Sequence, residues 1–392
     1  MGLLRISSFL LAILAAASSY AQLQSESGMA YERSSMHVMM IKHLNQKFED
    51  VLEDVFLQAP FPERFNDHNL GVKTVAFAEL EGDQSSNIAS FAQQVNLGQK
   101  MVAKWFDRNK QTGSFDMNLI RERGFYNASL GDRNMARASI RGEALLMDAG
   151  EHLINNTYLL VNDISYRSKG SGNWFLKSLA AMYTGNADGM QKAMEAIGGF
   201  KVDMKSYLFK LHWDQETAHK FYSMYYTEDG AKDADKVAAF KNDRTTFRME
   251  YVGKTESMSS ETNFKAVKEP KSLLVKVCKQ TIDKNIAQLQ HQYPDFRIKA
   301  PLLSVNPLKA DVGIKEDITE KSRFEVLERV LHEDGSMSYE RVGVVRPVKG
   351  KIKDNRYLVT VEESADAALD ATQFEIVSGK DFLPGMLIRE IE

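Results

Sequence analysis

Behind an apolar leader this chain carries a single cysteine, Cys278, so no internal disulfide can staple it and every domain must stand on a packed core. The leader is Met1–Ala21. Arg5 gives it one positive charge, Ile6–Ser18 is an apolar run, and Ser19-Tyr20-Ala21 sets small residues at the −3 and −1 positions of a cleavage site. That is the pattern of a secretory signal peptide, too short for a membrane span, with cleavage expected after Ala21. It assigns the mature chain to the exported proteins of a cell envelope, in the periplasm or at the outer membrane. No cysteine follows the apolar run, so no lipid-bearing N-terminus is expected.

Removing 21 residues from 392 leaves 371, enough for two or three domains. Of 50 basic and 53 acidic side chains only Arg5 belongs to the leader, so the mature chain is slightly acidic. Such a balance argues against nucleic acid as a partner. No later run reaches the roughly 18 apolar residues of a membrane helix.

Met36–Leu57 reads as an amphipathic helix, because Ile41, Leu44, Phe48, Val51 and Val55 recur at spacings of three and four. As a short coiled-coil seam it offers a partner-binding face, either to a second copy or to another envelope protein. As an ordinary helix it packs its own domain's core. From Gly71 the chain alternates. Val72–Leu80 and Thr157–Tyr166 read as strands, Asn87–Asp107 and Asn134–Asn155 as helices, and Ser114–Met117 as a short strand. Beyond Lys169–Asn173, Trp174–Ile197 reads as a helix, Val202–Trp213 and Thr245–Lys254 as strands, Met258–Asn263 as a loop and Lys271–Gln292 as a helix. After Pro294 short strands take over: Arg323–Leu331 and Met337–Val345 around an Asp334-Gly335 turn, then Tyr357–Glu362, Gln373–Val377 and Met386–Ile391.

The fold class expected is α+β and multi-domain: an α/β layer sandwich with long helices, then a small C-terminal β-barrel or β-sandwich. The boundaries expected are a tail and amphipathic helix over 22–70, an α/β domain over 71–293 with an inserted middle region 168–270, and an all-β domain over 294–392.

Chemistry-bearing clusters are sparse. His212, Asp214, Glu216 and His219 combine imidazole with carboxylate, the donor set of zinc, but match no standard zinc spacing; Asp214 as the cap of a helix starting at Gln215 is the plainer reading. Glu151-His152 lacks the second histidine of a zinc-protease helix. Asp163 faces either a cleft or solvent. Cys278 lies on an apolar helical face, the setting of an inert thiol. Lys349, Lys351, Lys353 and Arg356 form a basic stripe, suited to an acidic partner or to a blunted sheet edge. No catalytic residue and no cofactor is assigned.

Val72–Leu80, the segment LGQKMVAKWF (Leu97–Phe106), SFDMNLIRERG (Ser114–Gly124) with its Glu122-Arg123 pair, and Thr157–Tyr166 resemble the α/β domain of the curli secretion-channel family. Gly313–Ile318, Phe324-Glu325-Val326, Val342-Gly343 and Phe382–Met386 are similar to the small β-barrel of the flagellar outer-membrane assembly relative. The resemblance implies a non-catalytic role in envelope assembly. It departs at the pore, since Lys254, Glu256 and Glu261 interrupt any lipid face across Thr245–Asn263. The function expected is therefore protein–protein binding, as an assembly factor, adaptor or scaffold at the outer membrane. The alternatives are a secreted hydrolase, a metal-dependent enzyme or a surface adhesin.

Overall fold

Ser35–Ile41 (SMHVMMI) forms strand β1, buried along nearly its whole length. A strand buried on both faces shows no alternation, so its apolar run was free to mimic a helical stripe. The expected helix over 36–57 is thus corrected to a strand, a turn and a shorter helix, α1 (Glu49–Gln58), which begins after the non-helical Phe48. Pro60 and Pro62 follow its end. The computed structural model describes residues 34–44, 47–62, 65–76, 82–127, 150–151, 153–170, 183, 185, 197–228, 233–262, 269–331, 337–355 and 369–391. The expected leader, most of the helices expected over Asn134–Asn155 and Trp174–Ile197, the hairpin tip 332–336 and the strand expected over Tyr357–Glu362 lie outside these residues; Leu153–Asn156 forms a 3-10 turn and Ile197 opens a strand.

Two compact units divide the chain, one spanning Glu32–Phe296 and the other holding Arg297–Glu392. In the first, β1 pairs in parallel with β2 (Asn66–Asp67) and β3 (Thr74–Val75) on one side and with β4 (Thr157–Gly170) on the other. β4 then runs antiparallel to β5 (Ile197–Leu211), and β5 to β6 (Met249–Thr262). The sheet order is β2-β1-β4-β5-β6, with β3 beside β1. Two boundary expectations are corrected by this order. Residues 22–70 do not stand apart, since β1 lies between β2 and β4. The region 168–270 is not an insertion, since it supplies β5 and β6.

Helices bury both faces. On one, α2 (Gln84–Gln94), α3 (Leu97–Trp105), α4 (Asn118–Asn127), α5 (Gln215–Met224) and α6 (Ala234–Asn242) join a core with Leu159, Val161, Tyr207 and Phe209. The single helix expected over 87–107 breaks at Asn96, whose left-handed φ of 53° an asparagine tolerates. Gly98 then lets α3 lie against the chain, since a Cβ there would come within 2.5 Å of the Phe247 carbonyl oxygen. Phe115 makes only an isolated bridge to Glu228, in place of the strand expected over 114–117.

On the other face, α1 and α7 (Pro270–Gln292) cover Met40, Ile164, Phe200, Val202 and Met204. A polar layer runs through this apolar contact. Ser206 Oγ lies 2.6 Å from Asn162 Oδ1 and 2.7 Å from Asn285 Oδ1, and the Thr255 hydroxyl donates to Asn285 at 3.2 Å. Ser257 donates to the Thr281 carbonyl at 3.0 Å.

In the second unit β7 (Lys299–Val305), β8 (Leu308–Ala310), β9 (Arg323–Leu331), β10 (Met337–Pro347), β11 (Thr372–Gly379) and β12 (Leu387–Ile391) pair in the closed order β10-β11-β8-β7-β12-β9, every pair antiparallel. Ile298, Leu302, Phe324, Val326, Val345, Phe374 and Ile388 fill its core.

Candidate functional site

The four residues with zinc chemistry do not converge. Asp214 caps α5, its carboxylate accepting from the Thr217 backbone N–H at 2.8 Å, and that bond holds it below the usual carboxylate range. His212 sits 3.4 Å from Asp214 and 3.0 Å from Glu250, which also pairs with Arg248. Glu216 and His219 are exposed on α5. Among the described residues no group of three or more His, Cys, Asp or Glu is placed to hold a metal. Asp214→Ala is expected to weaken hydrogen-exchange protection in the first turn of α5, at Thr217 above all. Unchanged protection there would mean that the carboxylate does not cap.

The apolar seam is not a surface. Ile41, Val51 and Val55 are buried, Phe48 packs tilted against Tyr166 at 6.0 Å and edge-on to Phe200 at 6.2 Å, and Leu44 alone is exposed, in the turn after β1. The basic stripe is also dispersed. Lys349 and Lys351 are exposed at a turn after β10, Lys353 pairs with Asp311 at 2.6 Å, and Arg356 lies outside the described residues. Cys278 is fully buried, and burial pushes its thiol up to about 12, so it stays protonated. Asp163 pairs with His43 at 2.7 Å and straps the turn after β1 to β4, while the Glu49 carboxylate accepts from the His43 backbone N–H at 2.9 Å. Burial raises the Glu49 carboxyl above its ordinary range.

What the residue search missed is a face. β4, β5 and β6 are 14, 15 and 14 residues long, twice the seven of β1. In the near halves of β4 and β5 both faces are packed, while β6 leaves Glu250, Tyr251, Val252 and Lys254 exposed there. Beyond Asp163 the alternate residues Ile164, Phe200, Val202 and Met204 stay buried beneath α1 and α7, while the opposite face is half-buried to exposed and carries no helix among the described residues. It presents Asp163, Ser165, Arg167 and Lys169 on β4, Lys201, Asp203 and Lys205 on β5, and Glu256, Met258, Ser260 and Thr262 on β6. These side chains tie the strands together. Arg167 and Lys201 reach Asp203 at 3.0 and 3.3 Å, and Lys169 donates to Ser260 at 2.5 Å and to Thr262 at 3.1 Å. The signal was present in the strict alternation of FKVDMK, Phe200 to Lys205.

The outer edge of β6 is blunted. A bulge shifts its register near Gly253, Lys254 pairs with Glu256 at 2.7 Å, and α7 side chains take its outward carbonyls: Gln292 donates to Lys254 O at 3.2 Å and Lys284 to Met258 O at 3.5 Å. Among the described residues no helix is long and apolar enough to cross a membrane. No protein-family model and no curated protein matches this chain.

Proposed function

We propose that this chain is an exported, non-catalytic binding protein, an assembly factor or adaptor of the cell envelope, and that the polar face of β4–β6 is its partner surface. The observation that carries this reading is the mismatch of length. Three long strands are stiffened from behind by α7, yet among the described residues no helix covers the far half of their other face. Its charge defines the partner. Arg167, Lys169, Lys201 and Lys205 stand against Asp163, Asp203 and Glu256, a net positive face on a chain that is acidic as a whole, so the complement is an acidic protein surface. A lipid-facing strand would carry an apolar band there instead. The partial likeness to the curli secretion-channel family points to the same class of role.

The test is reversible cross-linking in the cells that make the protein, followed by capture of the tagged chain, with wild type beside Arg167→Glu/Lys169→Glu/Lys201→Glu. The expected result is one stoichiometric envelope partner with wild type, and its loss with the variant while the variant keeps the far-ultraviolet circular dichroism of the folded chain. Recovery of the bait alone, or of the same partner by both proteins, overturns the reading.

A further inference from the structure

Two histidines, His37 of β1 and His68 just after β2, are completely buried in the first unit, in a setting built for neutral imidazole. Their hydrogen bonds fix the tautomers. Arg123 Nη1 of α4 donates to His68 Nδ1 at 2.9 Å, so that nitrogen is an acceptor, and Nε2–H donates to the Met101 carbonyl at 3.0 Å. The Leu70 backbone N–H donates to His37 Nδ1 at 3.4 Å, which makes that nitrogen an acceptor too. A proton added to either ring arrives at Nδ1, where it meets an N–H already pointing inward. It cannot be accommodated without breaking that bond.

The charges around the rings oppose the proton as well. Lys73, before β3, and Lys104, on α3, act on His37; Arg123, Lys104 and His37 itself act on His68. Asp67, an exposed carboxylate, acts on Lys104. The carbonyls of Val72 and Met101 favour the protonated rings. Arg123 is itself 4.2 Å from the Trp105 ring and donates to Ser35 Oγ at 3.0 Å, so both imidazoles belong to the contact that docks β2 and α4 against the start of β1.

We propose that His37 and His68 form an acid-sensitive latch, closed at neutral pH and forced open as the rings take up protons, which frees the segment around β2 and Arg123 from β1. The sign follows from burial. Burial lowers the His37 imidazole to about 4 and holds His68 well below 6.5. Both groups are more basic in the open state, so the closed state is favoured above pH 6.5 and loses ground as pH falls from 6.5 toward 4. At pH 5, His37 alone shifts the closed-to-open ratio by about 30-fold. Acidification of the compartment is then a signal that the fold can read.

The test is hydrogen exchange on the wild-type protein at pH 7 and pH 5, corrected for intrinsic rates. Protection at residues 66–70 is expected to fall at least tenfold, while residues 157–164 of β4 hold. A companion variant, His37→Asn/His68→Gln, keeps polar groups without titrating and is expected to abolish the difference, whereas His219→Asn, on an exposed helix face, keeps it. Equal protection of 66–70 in wild type at the two pH values, or loss spread evenly over the sheet, overturns the latch, whether or not the double variant folds.

Discussion

Arg123→Ala is expected to cost about 3–4 kcal/mol of folding stability, the largest effect of any polar substitution in the first unit. The guanidinium is buried, stands over the Trp105 ring at 4.2 Å and donates to Ser35 Oγ, His68 Nδ1 and the Asp67 carbonyl at 3.0, 2.9 and 3.3 Å. Hydrogen bonds from a charged donor contribute about 1.5–3 kcal/mol each, and a desolvated cation–π contact about 2, but groups sharing one side chain do not add fully. Alanine also strands the His68 ring, whose Nδ1 loses its donor. Arg123→Lys keeps the charge without the planar fork and is expected to recover less than half of the loss. Urea unfolding of the protein measures both. A cost below about 1 kcal/mol for alanine would show that desolvating the cation offsets its bonds.

Phe221→Ala is expected to cost about 3–5 kcal/mol, the range for a buried phenylalanine whose cavity cannot collapse. Phe221 is fully buried at the centre of an aromatic cluster, with Phe106 at 4.3 Å, Phe115 at 5.2 Å, Trp213 at 5.7 Å and Phe247 at 6.2 Å. These rings come from the end of α3, the loop before α4, the end of β5 and the approach to β6, so one side chain joins four parts of the chain. Phe221→Leu keeps most of the volume and is expected to cost less than half as much. Denaturant midpoints give the stability, and the emission of Trp213 reports the local rearrangement. A cost near that of an exposed phenylalanine would mean that the neighbouring rings close over the gap.

How far the sequence could be read depended on what each element packs against. α7 was legible because 23 helical residues place Leu274, Cys278, Ile282 and Leu289 along a buried stripe. β9, β10, β11 and β12 were legible because each turns one face to a small core and is bounded by turn residues, whereas β7 and β8 were not named from the sequence. β1 was not, because a strand covered on both faces has no period of its own. β6 was cut short, with Met258–Asn263 assigned to a loop, because Thr255, Ser257 and Ser259 are buried beneath polar groups of α7 and give no apolar alternation. The site went the same way. Reasoning from nucleophiles and metal ligands finds convergent side chains, whereas the polar face of β4–β6 is defined by alternation along the strands. Glu122-Arg123, read as a family signature, contains a buried structural cation.

The hydroxyl and amide groups between α7 and the sheet determine more than stability. Leucines alone would let the helix settle one turn up or down at little penalty. With Asn285 meeting Ser206 and Thr255, and the Thr281 carbonyl meeting Ser257, any other setting leaves these groups unpaired in an apolar interior. α7 is therefore keyed to a single notch on the strands, and the spacing of the charges on their far side is fixed by a helix that never touches what they meet.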